Sequence, residues 1–221
     1  MDQKKWNTDP EETLPGRLQE DPDDDDDDGE GEDGQQSDAD SRLQEKALKT
    51  RTVMISETIT DELARRVYMQ LLILEEESRE KPITVLINSP GGEADSGFGI
   101  HDMMKFVACP IRTIVSGLCA SAAIMVFLAA EKGRRFSLPH SRFMMHQPSS
   151  QSFGQASDLE IASTEIVRMR QRYNQVVADA VGKDVEAVTH DVDRDFWLTA
   201  EDAKNYGLVD RVIVHRADIE E

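Results

Sequence analysis

The sequence is poor in cysteine and in aromatic residues, and it contains no long apolar stretch. Its two cysteines, Cys109 and Cys119, lie in apolar surroundings without the spacing of a metal site, which predicts reduced core residues in a cytoplasmic protein. The longest apolar run, residues 122–130, is nine residues long, whereas a membrane-spanning helix needs ~20. The opening MDQKKWNTDPEE resembles neither a secretory signal nor a transit peptide. We therefore expect a soluble protein with no membrane partner.

Basic residues are scarce at the N-terminus. Residues 1–40 contain 17 Asp or Glu against three Lys or Arg, so they carry −14 of the total charge of −19 and leave −5 for the rest. Self-repulsion and lack of apolar side chains predict a disordered acidic tail over residues 1–45, followed by a folded domain over residues 46–221. The Asp run lacks the glycine turn of a calcium loop. Nucleic acid is not an expected partner either, because phosphate contacts require Lys or Arg.

Strands and helices alternate through the folded part. The first predicted strand precedes Thr60, and Thr60 caps the first predicted helix. The buried strand ITVLIN and the turn SPGG follow that helix. A helix, the strand IRTIVS, a small-residue helix over residues 121–130 and the strand SRFMMH come next. This alternation predicts an α/β fold around a mostly parallel sheet.

A long helix is predicted over residues 155–181, with Gly182 ending it. Its apolar positions share one face: Leu159, Ile166, Met169, Tyr173 and Val177. The opposite face of this helix is polar. Such a helix is either a projecting element that contacts another subunit or an element packed on its own domain. The chain then predicts a strand at FWL, a short helix starting at Thr199, and a strand containing Val212 and Val214.

Ser121 is the first candidate for chemistry. It follows a predicted strand and begins a helix, where unpaired N–H groups and the helix dipole stabilise a developing anion. The surroundings are not a G-x-S-x-G elbow, because Cys119 and Ala123 occupy the glycine positions. Judged on this stretch alone, the sequence favours a small residue that permits helix packing over a nucleophile.

Two further segments could complete a site with Ser121. The glycines of SPGG allow close backbone approach and could supply a second N–H donor, although a plain turn is the alternative. His146 ends a strand, at the sheet edge where open parallel sheets bind ligands, and is a candidate general base. Asp191, Asp193 and Asp195 compete to orient it, and the residues alone do not choose among them. The remaining histidines are expected at the surface: His101, His140, His190 and His215.

Taken together, three segments resemble the proteolytic subunit of the Clp protease, a serine peptidase family, over about Arg51 to His215. They are LINSPGGEADSGFGIHDMM, GLCASAAIMVFLAAEKGRRFSLPHSRFMMHQP and DRDFWLTAEDAKNYGLVDRVI. The order Ser–His–Asp and the separations of 25 and 49 residues match the family's. The resemblance selects Asp195 over its neighbours. It implies Ser121 as nucleophile, His146 as general base and then acid, and no metal or cofactor.

The same resemblance implies an oxyanion hole formed by the backbone N–H groups of Gly92 and Ala122, and a crotonase-like α/β spiral. A strand over Gln147–Gly154 and the long helix would form a projecting handle that joins two stacked heptameric rings. Gln155, Asp158 and Arg194 match family residues that link ring pairing to the alignment of the catalytic residues. Peptides or unfolded proteins are the implied substrates of a homo-oligomeric chamber.

Two departures from the family bear on partners and pocket shape. The acidic segment and SRLQEKALK stand where the family has its axial-loop segment, which helps to dock an AAA+ unfoldase ATPase. The nucleophile segment has Ala122 and Ala123 where the family usually has Met and Gly. Alternative functions are a non-catalytic ring subunit that regulates a conventional paralogue, and an acyl-CoA enzyme that shares the spiral.

Overall fold

The structure, a computed structural model, describes Leu43 and residues 45–219. The predicted acidic tail therefore lies almost entirely outside the described residues. Residues 45–49 are helical. From residue 52 to residue 219, seven strands and six α-helices follow one another: β1 (Thr52–Ile55), α1 (Asp61–Glu77), β2 (Ile83–Ser89), α2 (Ala94–Phe106), β3 (Ile111–Ala120), α3 (Ala122–Leu128), β4 (Arg135–Ser137), β5 (Arg142–Met145), α4 (Ala156–Val181), α5 (Val185–Asp191), β6 (Phe196–Thr199), α6 (Ala200–Tyr206) and β7 (Arg211–Val212). A 3₁₀ turn, Arg216–Ile219, follows β7.

The strands form a mostly parallel sheet in the order β1-β2-β3-β4-β7, with β5 also paired to β3. The ten-residue β3 pairs with β2 and has two further partners, since residues in its first half pair with β4 and its last three residues pair with β5. Among the described strands, the single antiparallel pair joins β5 to β6. As a result, the end of β3 lies beside β5 and close to the start of β6.

The core lies between the sheet and helices α1 to α3. The inward stripe of α1 is buried through Leu63, Val67, Leu71 and Leu74, which repeat at helical spacing. All seven residues of α3 are buried, and Ala122 and Ala123 at its start permit close packing. A short helix that is buried on every side is held by its surroundings, so the residue before it is held as well.

Local signals predicted several helix ends correctly. The hydroxyl of Thr60 accepts a hydrogen bond from the N–H of Leu63, and Gly182 ends α4 with φ of 73°. The three-residue strand β4 and the seven-residue helix α5 were not predicted, because neither is long enough to show a period. The predicted last strand is shorter than expected, since Val214 lies outside β7.

The prediction that His101 is a surface residue is wrong. Its side chain is buried in α2, and its Nδ1 lies 2.8 Å from the carbonyl oxygen of Met125 in α3. A hydrogen bond to a backbone carbonyl satisfies the ring, so burial of the imidazole is tolerated. The other three histidines are exposed or partly exposed, as predicted.

Helix α4 has two different halves. Its buried residues, Tyr173, Asn174, Val177 and Ala178, all lie in the second half, and almost every residue before Arg170 is exposed or partly exposed. The helix of the predicted handle thus projects from the domain. Within this single chain the segment Gln147–Gly154 forms no strand, because it is mostly exposed and pairs with no strand of the described residues, and the predicted strand between two rings stays a prediction. A strand exists only where a neighbouring edge accepts its hydrogen bonds.

None of the described helices is both long enough and apolar enough to cross a membrane.

Candidate active site

Ser121 lies between β3 and α3 in an unusual backbone conformation. Its φ of 54° and ψ of −123° fall in a region that side chains other than glycine rarely adopt, at a cost of about 1–3 kcal/mol. The N–H of Ser121 donates to the carbonyl of Met144 in β5, at 2.9 Å. The turn therefore aims the side chain out of the core and ties the serine to the strand that carries His146.

His146 meets Ser121 because β5 runs beside the end of β3. The two strands pair Ala120 with Met144, so the residues that follow each strand emerge at the same edge of the sheet. The distance from His146 Nε2 to Ser121 Oγ is 2.8 Å, which is hydrogen-bond length. The structure thus brings together a hydroxyl and an imidazole, in the arrangement that a base needs to accept the hydroxyl proton.

Asp195 is the carboxylate that the structure brings to His146. The β5–β6 ladder ends with Met145 opposite Phe196, so His146 and Asp195 are the next facing positions. Asp195 Oδ1 lies 3.6 Å from His146 Nδ1, somewhat beyond a hydrogen bond, and the Asp195 side chain is 63% exposed.

The other two candidate aspartates have different contacts. Asp191 accepts a hydrogen bond from the hydroxyl of Tyr206, at 2.8 Å. The carbonyl of Asp193 accepts one from the side-chain amide of Gln147, at 2.7 Å. Neither forms an ion pair with His146 in the described part of the chain.

The glycine turn after β2 packs directly against the serine. Gly91 has φ of 91°, and a Cβ atom there would lie 2.5 Å from the carbonyl oxygen of Ala120 and 2.7 Å from Cβ of Ser121. Gly92, with φ of 152°, is held by a bridge to Ile59. Only glycine allows this approach, because it has no side chain and tolerates positive φ.

A cleft of about 770 Å³ opens beside these residues. The predicted oxyanion residues Gly92 and Ala122 line it together with Ser121 and His146. Ala122 is the first residue of α3, so its N–H has no acceptor one turn earlier in the helix. The apolar part of the wall comes from the following residues: Met125, Met144, Ala162, Ile166, Met169 and Tyr173. The charged residues of the wall are acidic, namely Glu93, Asp95 and Glu165.

Two of the predicted handle residues are neighbours, since the N–H of Asp158 donates to the carbonyl oxygen of Gln155 at 3.0 Å. Gln155 precedes α4 and Asp158 lies in its first turn, both exposed, and Arg194 is exposed beside Asp195. Arg194 forms no ion pair with Asp158 within the described chain. The predicted link between these residues and ring pairing would join two chains, and it stays a prediction.

Two residues of the site were not singled out from the sequence. Gly91 was seen only as part of a glycine turn, although it is the glycine that touches the serine. Gln147 directly follows His146, and its amide reaches the segment that carries Asp195. In the sequence, only its position beside the candidate base His146 pointed to Gln147. Its hydrogen-bond partner Asp193 lies 46 residues away, so the contact itself was not predictable from the sequence.

Comparison with known proteins agrees with this architecture. A family model described as Clp protease matches residues 35–216. ATP-dependent Clp protease proteolytic subunit 2 of Treponema denticola is 43% identical over 182 residues, which cover 82% of this chain and 91% of the relative. Proteolytic subunit 3 of Rhizobium meliloti is 46% identical over 171 residues, covering 77% and 87%.

A solved structure is also similar. A point mutant of ClpP1 from Listeria monocytogenes superimposes with a TM-score of 0.75 at 45% sequence identity, covering 80% of this chain and 99% of that chain. The expected crotonase-like α/β fold is thereby confirmed.

Proposed function

The chain belongs to the Clp protease family, and we propose that it is a serine endopeptidase that cleaves peptides or unfolded proteins through an acyl-enzyme on Ser121. The observation that carries this proposal is the 2.8 Å distance between Ser121 Oγ and His146 Nε2 at the edge of a cleft large enough for a peptide. His146 is the general base and Asp195 orients it. The mechanism requires no metal and no cofactor.

Acylation begins when Ser121 Oγ attacks the carbonyl carbon of the scissile peptide bond. Its proton passes to Nε2 of His146, which is available as an acceptor when Nδ1 carries the other proton and faces Asp195. The negative charge moves to the carbonyl oxygen, for which the N–H groups of Gly92 and Ala122 are the proposed donors. The C–N bond then breaks, and His146 returns the proton to the leaving amine.

Deacylation repeats the same transfers with water. His146 takes a proton from a water molecule, which attacks the ester carbon on Ser121, and the second tetrahedral intermediate collapses to release the acid and restore the hydroxyl. The strained backbone at Ser121 keeps Oγ in one position through both halves of the reaction.

Assembly into heptameric rings, stacked in pairs, is part of the proposal. Exposed apolar side chains on the projecting half of α4, such as Ile161 at 63% exposure, support a contact between copies of this chain. An AAA+ unfoldase or a paralogous proteolytic subunit is a proposed partner of such a ring. The buried, unpaired state of both cysteines supports a cytoplasmic location.

Labelling with a fluorophosphonate tests the proposal. We expect the assembled protein to be labelled at Ser121, and the Ser121→Ala variant to be unlabelled and to lose at least about a thousandfold of peptide hydrolysis. Absence of labelling in the assembled wild-type protein would contradict the proposal. Mixed rings that are unlabelled on this chain, and whose activity is unchanged by Ser121→Ala, would instead identify a regulatory subunit.

A further inference from the structure

The backbone ladder between β5 and β6 stops just before the residues that must face each other. Its pairs run from Arg142 opposite Thr199 to Met145 opposite Phe196. His146 and Asp195 lie one position beyond the last pair, outside both strands. Strand pairing therefore brings these side chains near each other, but outside the ladder no backbone hydrogen bond among the described residues holds Asp195 in place.

The side chain of Gln147 bridges this gap. Its Nε2 donates to the carbonyl oxygen of Asp193 at 2.7 Å and lies 3.5 Å from the Oδ1 of the same residue. A side-chain amide thus replaces the missing ladder bond and joins the residue after His146 to the segment two residues before Asp195. Pro148 follows, and its ring limits the backbone freedom of Gln147 itself.

From these contacts we propose that Gln147 is a positioning residue, which holds the Asp193–Asp195 segment so that the carboxylate of Asp195 faces His146. The inference rests on the proposed serine peptidase function. Gln147 is absent from the residues that line the cleft, although both its neighbours, His146 and Pro148, line it. Its effect therefore reaches the substrate only through Asp195 and His146.

The contact between His146 and Asp195 is long, so the position of the Asp195 carboxylate depends on how its segment is held. At 3.6 Å, and with the Asp195 side chain 63% exposed, the carboxylate is not otherwise locked against the imidazole. A small displacement of the segment would therefore separate the Asp195 carboxylate from the His146 imidazole. Correct orientation of the imidazole in serine peptidases depends on this contact, so a loosened segment lowers turnover more than substrate binding.

A double-mutant cycle tests the proposal, with the rate of fluorophosphonate labelling at Ser121 and the hydrolysis of a fluorogenic peptide as measurements. We expect Gln147→Ala and the isosteric Gln147→Glu, which loses the donor, to lower kcat about tenfold or more with KM changed less than about twofold. Gln147→Lys keeps a donor of similar reach and should stay within about threefold of wild type.

The cycle is completed in the Asp195→Asn background. If Gln147 acts through Asp195, Gln147→Ala should change the labelling rate of that variant less than about twofold. Gln175→Ala removes an exposed glutamine whose amide donates to Asp179 at 2.7 Å, outside the cleft and the handle segment, so it is the matched control and should behave as wild type. Thermal unfolding and native mass confirm that each variant is folded and assembled.

The outcomes separate this inference from the function on which it rests. An unlabelled wild-type protein would refute the peptidase function. A labelled wild type whose Gln147→Glu variant is equally active would overturn only the positioning role, as would an equal loss with and without the Asp195 carboxylate. A loss that appears in KM alone would also overturn it, because it would indicate substrate contact.

Discussion

Ser121 is the proposed nucleophile and also has a strained backbone, and contacts from neighbouring residues hold it in that conformation. Its backbone occupies a strained conformation, and the carbonyl of Met144 accepts its N–H, so the strain is held by strand β5. Gly91 closes the other side of the turn without a side chain. The nucleophile is therefore positioned by contacts from β2 and β5, as well as by the helix that it precedes.

We predict that Gly91→Ala lowers the rate of Ser121 labelling by at least about tenfold, since a 1 Å misplacement at a reacting centre can cost a hundredfold. The added Cβ would lie 2.5–2.9 Å from Ala120, Ser121 and Ala122, mostly from backbone atoms that cannot move aside cheaply. The measurement is the second-order rate of fluorophosphonate labelling.

Gly133→Ala is the matched control for this prediction. Gly133 has φ of 92°, close to that of Gly91, but an added Cβ would meet nothing within 4 Å. Both substitutions therefore impose the same backbone strain, and only Gly91→Ala crowds the serine. Equal losses of labelling in the two variants would show that crowding at Ser121 has no effect of its own.

Among the elements, β3 and α3 determine where the site lies. The first half of β3 pairs with β4 and its last three residues with β5, and this change of partner places the end of β3 beside the strand of His146. Helix α3 is held from behind by α2, whose His101 contacts the carbonyl of Met125. Met125 also lines the cleft, so this buried contact joins the core to the site.

The contact between His101 and Met125 predicts a pH dependence of stability. Burial lowers the pKa of His101, while the hydrogen bond to Met125 and the Asp102 carboxylate oppose this shift and Lys105 adds to it. The unfolded chain therefore binds the proton more readily than the folded one. Stability is lost as the pH falls through the ordinary histidine pKa of about 6.5 and towards the lower folded pKa.

Urea unfolding of wild type and His101→Gln at about pH 7 and pH 5.5 measures this effect. The glutamine amide can still donate to Met125 but does not titrate in this range. We expect the wild type to lose more stability than the variant on acidification. An equal loss in both proteins would show that His101 does not contribute to the pH dependence.

At the scale of the whole molecule, several large apolar side chains lie exposed on the surface that the described residues form. Phe153 is 92% exposed near the end of the handle segment Gln147–Gly154, and Ile161 is 63% exposed on α4. The handle segment Gln147–Gly154 also has unpaired backbone, which a second copy could satisfy by strand pairing. Both features favour an assembly in which the handle lies between copies.

We predict that Ile161→Glu halves the native mass by separating paired rings, because it places a charge in an apolar contact. The expected wild-type mass, by native mass spectrometry, is fourteen times that of the subunit, on the proposal of two heptameric rings. Val214→Glu changes a side chain of similar exposure, 66%, outside the handle, and should leave the mass unchanged. An unaltered mass for Ile161→Glu would refute this contact.

Much of the architecture was predictable because its signals are local. The period of apolar residues, the Thr60 cap and the Gly182 stop depend on neighbours within a few turns, and they predicted the main helices. Short elements such as β4 and α5 were not predicted, because three to seven residues are too few to show a periodic pattern of apolar side chains. His101 was misplaced because its partner, Met125, lies 24 residues away in sequence.

The sequence by itself determined the α/β class, the helix ends and Ser121 as a candidate nucleophile, because each depends on residue type and short spacing. Only the tertiary structure gave a physical reason for choosing the aspartate that faces His146. It also decided which glycine touches the serine and that Gln147 reaches the Asp195 segment. Each of these contacts joins residues at least 29 positions apart. Such contacts follow from the registers of β2 with β3, of β3 with β5 and of β5 with β6, which are properties of the whole sheet.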